Sequence, residues 1–231
     1  MSSILVTGAN RGLGLEFVRQ YAKEGWDVLA CCRYPDQARE LKQLAGRHDT
    51  VSVHALDVAD HKQIDALAQT LHDRAIDVLL SNAGVYGGAE DESFGSLRYP
   101  VWERELRINT LAPAKMAEAF VSHVARSDKK LIASVSSLMG SMADNGSGGS
   151  YLYRSSKAAL NAVMVSLARD LAPRKIGALV LHPGWVKTDM GGPNAEITPE
   201  TSVRGMRGVI EGFRLKDSGR FMAYDGAELP W

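Results

Sequence analysis

Six short apolar runs recur along the chain: Ile4-Leu5-Val6, Val28 to Cys32, Val51 to His54, Val78-Leu79-Leu80, Leu131-Ile132-Ala133 and Leu179-Val180-Leu181. Apart from Val51-Ser52-Val53-His54, they are apolar throughout, which suits strands covered on both faces, as in a parallel sheet. Helical periodicity falls between most of them, near 12–24, 61–74, 100–126, 150–172 and 199–213. Parallel neighbours cannot be joined by a hairpin and need a crossover, usually a helix. The alternation therefore predicts an α/β fold: a doubly wound, mostly parallel open sheet with helices on both faces. No Pro/Ser-rich linker, composition shift or internal repeat interrupts it, so residues 1–231 read as a single domain.

Charge and cysteine usage remove several functional classes. The chain has 27 Lys+Arg against 27 Asp+Glu. A protein that binds nucleic acid by neutralising phosphates carries a basic excess or patch, so no nucleic-acid partner is expected. The two cysteines, Cys31 and Cys32, are adjacent, and no CxxC, no HExxH and no metal spacing among the six histidines occurs. No metal site is expected, and neighbouring cysteines read as a reduced, buried pair in a cytoplasmic protein. The longest apolar runs are about five residues, far short of the roughly 18 that span a bilayer, so no membrane partner is expected either. No targeting segment is visible at the start of the chain.

The first strand runs straight into Thr7-Gly8-Ala9-Asn10-Arg11-Gly12-Leu13-Gly14, which opens the first helix. In such a turn Gly8 permits the tight reversal, Gly12 lets backbone approach a pyrophosphate, and Gly14 lets the helix pack close to the sheet. The helix N-terminus adds unpaired N–H groups and positive potential. Position at the end of a first strand points to dinucleotide binding; a Walker A site is excluded because the chain contains no Gly-Lys pair. NAD readers place an acid at the end of the second strand for the ribose 2′-hydroxyl. Here that strand ends in Cys32-Arg33, and Asp36 comes only after Pro35. Arg33, with Arg11, suits a 2′-phosphate. NADP(H) is the preferred cofactor, with NAD(H) possible.

Tyr153 and Lys157 lie four apart at the start of a strongly helical segment and so share a face. An ammonium beside a phenol favours the phenolate and makes it a usable acid/base near neutrality. Ser134-Val135-Ser136-Ser137 ends the fifth strand, where a hydroxyl can donate to a substrate carbonyl oxygen as charge develops. No GxSxG surrounds Ser136 or Ser137, which argues against a hydrolase.

Thr7-Gly-x-x-x-Gly-x-Gly14, Ser81-Asn82-Ala83-Gly84, Asn109, Ser137, Tyr153-x-x-x-Lys157 and Pro183-Gly184 together resemble the ordered motifs of the short-chain dehydrogenase/reductases. The loop Gly140 to Tyr153 and the ending Tyr224-Asp225-Gly226 to Leu229-Pro230-Trp231 are similar to the sniffer-type carbonyl reductases and C-factor-like proteins of the compact branch. The resemblance implies Tyr153 as general acid/base and Lys157 as the group that lowers its pKa and holds the nicotinamide ribose. Ser137 orients the carbonyl and Asn109 anchors a water in a proton relay. For the cofactor it implies Asp57, beside Val58, at adenine; Asn82, Ala83 and Gly84 along the adenosine-ribose side; and Pro183, Gly184, Val186 and Thr188 at the nicotinamide carboxamide. Ser137 lies about three residues further before the Tyr than the family's commonest spacing, which a Gly-rich loop can absorb.

The implied activity is an NADP(H)-dependent carbonyl reductase or alcohol dehydrogenase with a small-molecule ketone, aldehyde or alcohol as substrate. The alternative is a dinucleotide-binding signalling or regulatory protein of the C-factor type with incidental or no turnover. Residues 85–99 and 140–150 form long, Gly-bearing loops, which at this length are usually functional or disordered; with 189–200 they are the loops that would select the substrate. Trp185 and Met190 sit where a substrate lid would hinge. The helix over 150–172 is apolar on nearly all sides, which predicts a homodimer or homotetramer.

Overall fold

The chain is described by a computed structural model over residues 1–87 and 93–231. Residues 88–92 of the expected 85–99 loop lie outside the described residues.

Seven strands form one sheet: β1 (Ser3–Thr7), β2 (Asp27–Cys32), β3 (Val51–Ala55), β4 (Val78–Ser81), β5 (Leu131–Val135), β6 (Gly177–His182) and β7 (Phe221–Ala223). Their order is β3-β2-β1-β4-β5-β6-β7, and every neighbouring pair is parallel. The expected doubly wound sheet is therefore present. The helices are α1 (Gly12–Lys23), α2 (Arg39–Ala45), α3 (His61–Thr70), α4 (Tyr99–Leu106), α5 (Ala112–Ala125), α6 (Tyr151–Asp170) and α7 (Pro199–Gly212).

The unbroken apolar runs follow from burial on both faces. Successive strand residues point to opposite sides, so Leu5, Leu29, Leu79, Ile132 and Val180 meet α3, α5 and α6 through Ile64, Phe120 and Met164. Their neighbours Ile4, Val28, Leu80, Leu131 and Leu181 meet α1, α2 and α7 through Phe17, Leu41 and Met206. Two elements were not legible as periodic runs. α2 has seven residues and a single buried side chain, Leu41. β7 has only three residues.

The expected helix over 100–126 is interrupted. Arg107–Leu111 forms a π-helical turn between α4 and α5, and Asn109 at its centre is fully buried. π-turns concentrate at functional positions because they misdirect side chains and backbone carbonyls from the regular ladder. Strand order runs outward in both directions from the β1/β4 pair, so the crevice beyond the C-terminal ends of β1 and β4 is the switch point where such sheets hold ligands.

Candidate active site

The glycine turn is built around close approaches. A Cβ on Gly14 would lie 2.1 Å from the Gly8 carbonyl oxygen and 2.7 Å from Asn82 Nδ2; one on Gly8 would lie 2.9 Å from Ala83 Cα. Thr7 Oγ1 accepts from the backbone N–H of both Asn82 and Ala83 at 3.0 Å, and Asn82 Nδ2 donates to the Thr7 carbonyl at 2.9 Å. Asn82-Ala83-Gly84 is thereby welded to the glycine turn rather than being a mere strand end. Arg11 occupies the N-cap of α1, and no side chain caps that helix. The first N–H groups of α1 thus meet no capping oxygen, the arrangement a phosphate satisfies. Asn10, Arg11 and Gly12 are exposed at this turn, while Leu13 packs partly against the core. These residues fit a dinucleotide pyrophosphate.

Beyond the turn, Asp57 Oδ1 accepts from the Ala59 N–H at 3.0 Å and its own N–H donates to Gln63 Oε1, while Val58 is buried. Arg33 is exposed at the end of β2, its guanidinium 5.9 Å from the Tyr34 ring centroid. Asp36, past the proline, faces Lys42 at 3.8 Å. Arg11 pairs across the crevice with Asp189 at 2.6 Å, both side chains largely exposed. The Asp189 contact was not foreseen from the sequence; only tertiary structure brings residues this far apart in the chain together.

Lys157 is buried, and its Nζ donates to the Val135 carbonyl at 3.0 Å. Burial pushes its pKa down to about 8, with the nearby Glu105 carboxylate acting in the opposite direction. The ammonium lies 5.7 Å from the Tyr153 ring centroid, and Tyr86 meets that ring edge-on at 5.1 Å. A Cβ on Gly84 would stand 3.4 Å from Asn109 Oδ1 and 3.6 Å from Lys157 Nζ. Gly84, Asn109, Tyr153 and Lys157 are therefore one cluster at the carboxyl end of the sheet. The Asn109 side chain is fully engaged. Its Oδ1 accepts from Val85 N, and its Nδ2 donates to Val85 O and to Ser156 Oγ at 2.9 and 3.0 Å. Both donors are spent, so the side chain clamps the start of the 85–99 loop to α6.

The serine run divides by burial. Ser136 Oγ is buried and donates to Asn161 Oδ1 at 2.7 Å. Ser137 is partly exposed; its Oγ accepts from the Met139 N–H at 3.2 Å as it caps the 3₁₀ turn Leu138–Gly140. That turn is pressed onto α6, since a Cβ on Gly140 would sit 2.8 Å from the Lys157 carbonyl carbon. The 140–150 loop then closes with Gly148, Gly149 and Ser150 all at positive φ, which explains the glycine pair immediately before α6.

His182, the last residue of β6, contributes a contact that its sequence position did not reveal. Its Nδ1 accepts from the Leu138 N–H at 3.2 Å and so ties β6 to the Ser137 turn. Burial lowers its pKa to about 4, against the opposing pull of Asp225 and Asp144. The unfolded chain protonates this imidazole near 6.5. Stability from keeping it neutral is thus full above about pH 6.5 and is lost as pH falls towards 4. His182→Gln, which keeps an acceptor without a titrating group, should flatten urea-unfolding stability between pH 6.5 and 4. The wild type should lose up to about 1.4 kcal/mol more per pH unit there. Parallel pH profiles for the two proteins would remove this assignment.

The segment after β6 forms the opposite wall. Pro183 O accepts from Ser202 Oγ, and Gly184 has φ +78 beside Ile197 and Tyr224. Val186 is buried and bridges to Ile197, and Thr188 lies against Gly12, whose Cβ would be 3.5 Å from its methyl. Trp185 and Met190 are half exposed, with Trp185 Nε1 donating to Gly191 O at 2.8 Å. The glycine turn and this wall thus face each other across the switch-point crevice.

Comparison with known proteins agrees with this arrangement. The family model described as short chain dehydrogenase matches residues 2–197. The C-signal of Myxococcus xanthus is 44% identical over 156 residues, covering 68% of this chain and 93% of that protein. Carbonyl reductase Sniffer of D. melanogaster superposes with a TM-score of 0.91 at 34% identity, covering all of both chains. An NADPH-bound carbonyl reductase from chicken fatty liver does so with 0.92 at 33% identity, covering 100% of this chain and 99% of the other. The family's motifs run in family order from Thr7 to Gly184, inside the matched residues 2–197, and the remaining elements complete its sheet: this chain belongs to the short-chain dehydrogenase family.

Proposed function

We propose that the chain is an NADP(H)-dependent carbonyl reductase or alcohol dehydrogenase. The observation that carries the reading is the buried Lys157 ammonium beside the Tyr153 ring, opposite an uncapped helix N-terminus suited to a pyrophosphate. Bound nicotinamide supplies or accepts the hydride. The α1 N-terminus and Gly12 receive the pyrophosphate, Asp57 and Val58 meet the adenine, and Asn82, Ala83 and Gly84 line the adenosine-ribose side. Pro183, Gly184, Val186 and Thr188 orient the carboxamide. Tyr153 donates its phenolic proton to the developing alkoxide, and Ser137 holds the same oxygen. Lys157 favours the phenolate so that the proton leaves near neutral pH. Asn109 anchors the water of the proton relay, and its side chain keeps the start of the 85–99 loop and α6 at the distance the pair requires.

Arg33 and Arg11 are assigned to the 2′-phosphate, for which the NADPH-bound relative is support. Arg33→Ala should weaken NADPH binding about tenfold or more, the worth of one charge-assisted bond, and leave NADH binding nearly unchanged. Equal losses for both cofactors, read by fluorescence titration, would move the 2′-phosphate contact elsewhere. Cys31 and Cys32 are buried free thiols, which suits a reducing cytoplasm. The outer side of α6 is only partly covered, which supports a homo-oligomer; a 25 kDa particle in light scattering would dismiss it.

The test of the activity is NADPH consumption with a panel of aldehydes, ketones and quinones. Turnover with part of the panel is expected. The identity with the C-signal supports a second reading, a dinucleotide-binding signalling protein. Tight NADPH binding without turnover across the panel would favour it.

A further inference from the structure

A second cavity, of about 440 Å³, lies beside the start of α6 and is bounded by the loop that follows the Ser137 turn. Its volume falls within the range of small-molecule sites. Its walls are largely apolar: Met139, Met142, Tyr151 and Ala158, with Asn145 adding an amide. Tyr153, Lys157, Asn109 and Ser137 do not line it. On α6, Arg154 and Ala158 follow Tyr153 and Lys157 by one residue each, so a quarter-turn of the helix separates the two sites.

The cavity has one formal charge. Among the described residues Arg154 is the one cation that lines it, and no Asp or Glu does. A guanidinium has five N–H donors, and the protein uses few of these. Nη2 donates to Ser147 Oγ at 3.0 Å, Nη1 makes a long bond of 3.5 Å to the Met139 carbonyl, and Nε is buried without a hydrogen-bond partner. Both acceptors are neutral. An arginine held against an apolar cavity with no carboxylate opposite it among the described residues is electrostatically incomplete, and a planar carboxylate matches its fork geometry. The apolar walls ask for a hydrocarbon body attached to that carboxylate.

We propose that this cavity binds a small amphipathic monocarboxylate, with Arg154 holding the carboxylate and the Met139, Met142 and Tyr151 side chains covering the apolar body. The site is independent of the oxidoreductase reading. It touches both chain segments that carry the reactive groups, the turn after Ser137 and the first turn of α6.

The test is calorimetric titration of the full chain, with and without NADP, using decanoate and its neutral counterpart decanamide. Decanoate should bind at least tenfold more tightly than decanamide. Arg154→Gln should erase that difference, and Ala158→Phe, which fills the cavity and leaves the charge in place, should weaken both probes at least tenfold. Tyr153→Phe should bind decanoate as the wild type does. Equal binding of the two probes, no binding of decanoate, or unchanged binding in Ala158→Phe would overturn the proposal. Loss of decanoate binding in Tyr153→Phe would do so too, by placing the carboxylate at the reductase site. Should Arg154→Gln fail to fold, the probe comparison and Ala158→Phe still decide the matter.

Discussion

Tyr153→Phe is expected to lower kcat for carbonyl reduction by about 10² to 10⁴, the contribution of a positioned general acid. That range corresponds to roughly 3–5 kcal/mol of transition-state stabilisation. The substitution removes the phenolic oxygen and keeps the ring. The Tyr153 ring meets Tyr86 edge-on and lies 5.7 Å from the Lys157 ammonium, contacts that a phenylalanine ring retains. The variant should therefore fold, and NADPH affinity should change by no more than a few-fold. Steady-state kinetics on a substrate found in the panel, with cofactor titration alongside, reads both numbers. Near-wild-type turnover would transfer the proton to another donor and undo the mechanism.

Gly14→Ala should have the largest effect on the fold of the site. Its added methyl would fall 2.1 Å from the Gly8 carbonyl oxygen and 2.8 Å from the Gly8 carbonyl carbon. These are backbone atoms and cannot swing aside as a side-chain tip can. Overpacking of this kind costs up to about 3 kcal/mol, which for a chain of this size means a fall in Tm of roughly 6–12 °C. NADPH binding should be lost with it, because α1 can no longer sit close enough to aim its N–H groups into the crevice. Gly12→Ala is the informative contrast. Its nearest neighbour would be the Thr188 methyl at 3.5 Å, so its penalty comes from φ +53 and from filling space meant for the ligand. Calorimetry should show a smaller drop in Tm for Gly12→Ala with a comparable loss of cofactor affinity. Equal stability of Gly14→Ala and the wild type would contradict the packing described for this turn.

Much of the architecture could be read in advance because it rests on local patterns. Strands buried on both faces are apolar at nearly every position, and each of the six runs from Ile4-Leu5-Val6 to Leu179-Val180-Leu181 lies in a strand, the partly exposed edge strand β3 alone alternating with polar residues. Elements without such a pattern escaped notice. The three residues of β7 are too few to show a period, and the seven of α2 bury only Leu41. The π-turn at Arg107–Leu111 interrupts a segment whose sequence reads as one continuous helix. Asn109 at its centre is held by hydrogen bonds to Val85 and Ser156, both outside the segment.

The sequence by itself determined which chemical groups are present and their spacing along helix and strand: the glycine turn, Tyr153 and Lys157 on one face, and serines at a strand end. Covalent spacing acting through the 3.6 and 2.0 periods of regular structure is enough for that. Tertiary structure alone decided which groups are spent and which stay available. It turned Ser136 inward to Asn161 and left Ser137 partly exposed as the cap of the next turn. It paired Arg11 with Asp189, tied His182 to the Ser137 turn, and left Arg154 facing an apolar cavity with no anion among the described residues. Those outcomes depend on burial and on partners tens to hundreds of residues away, and a hydrogen-bonding group has no assigned partner until the chain has closed around it.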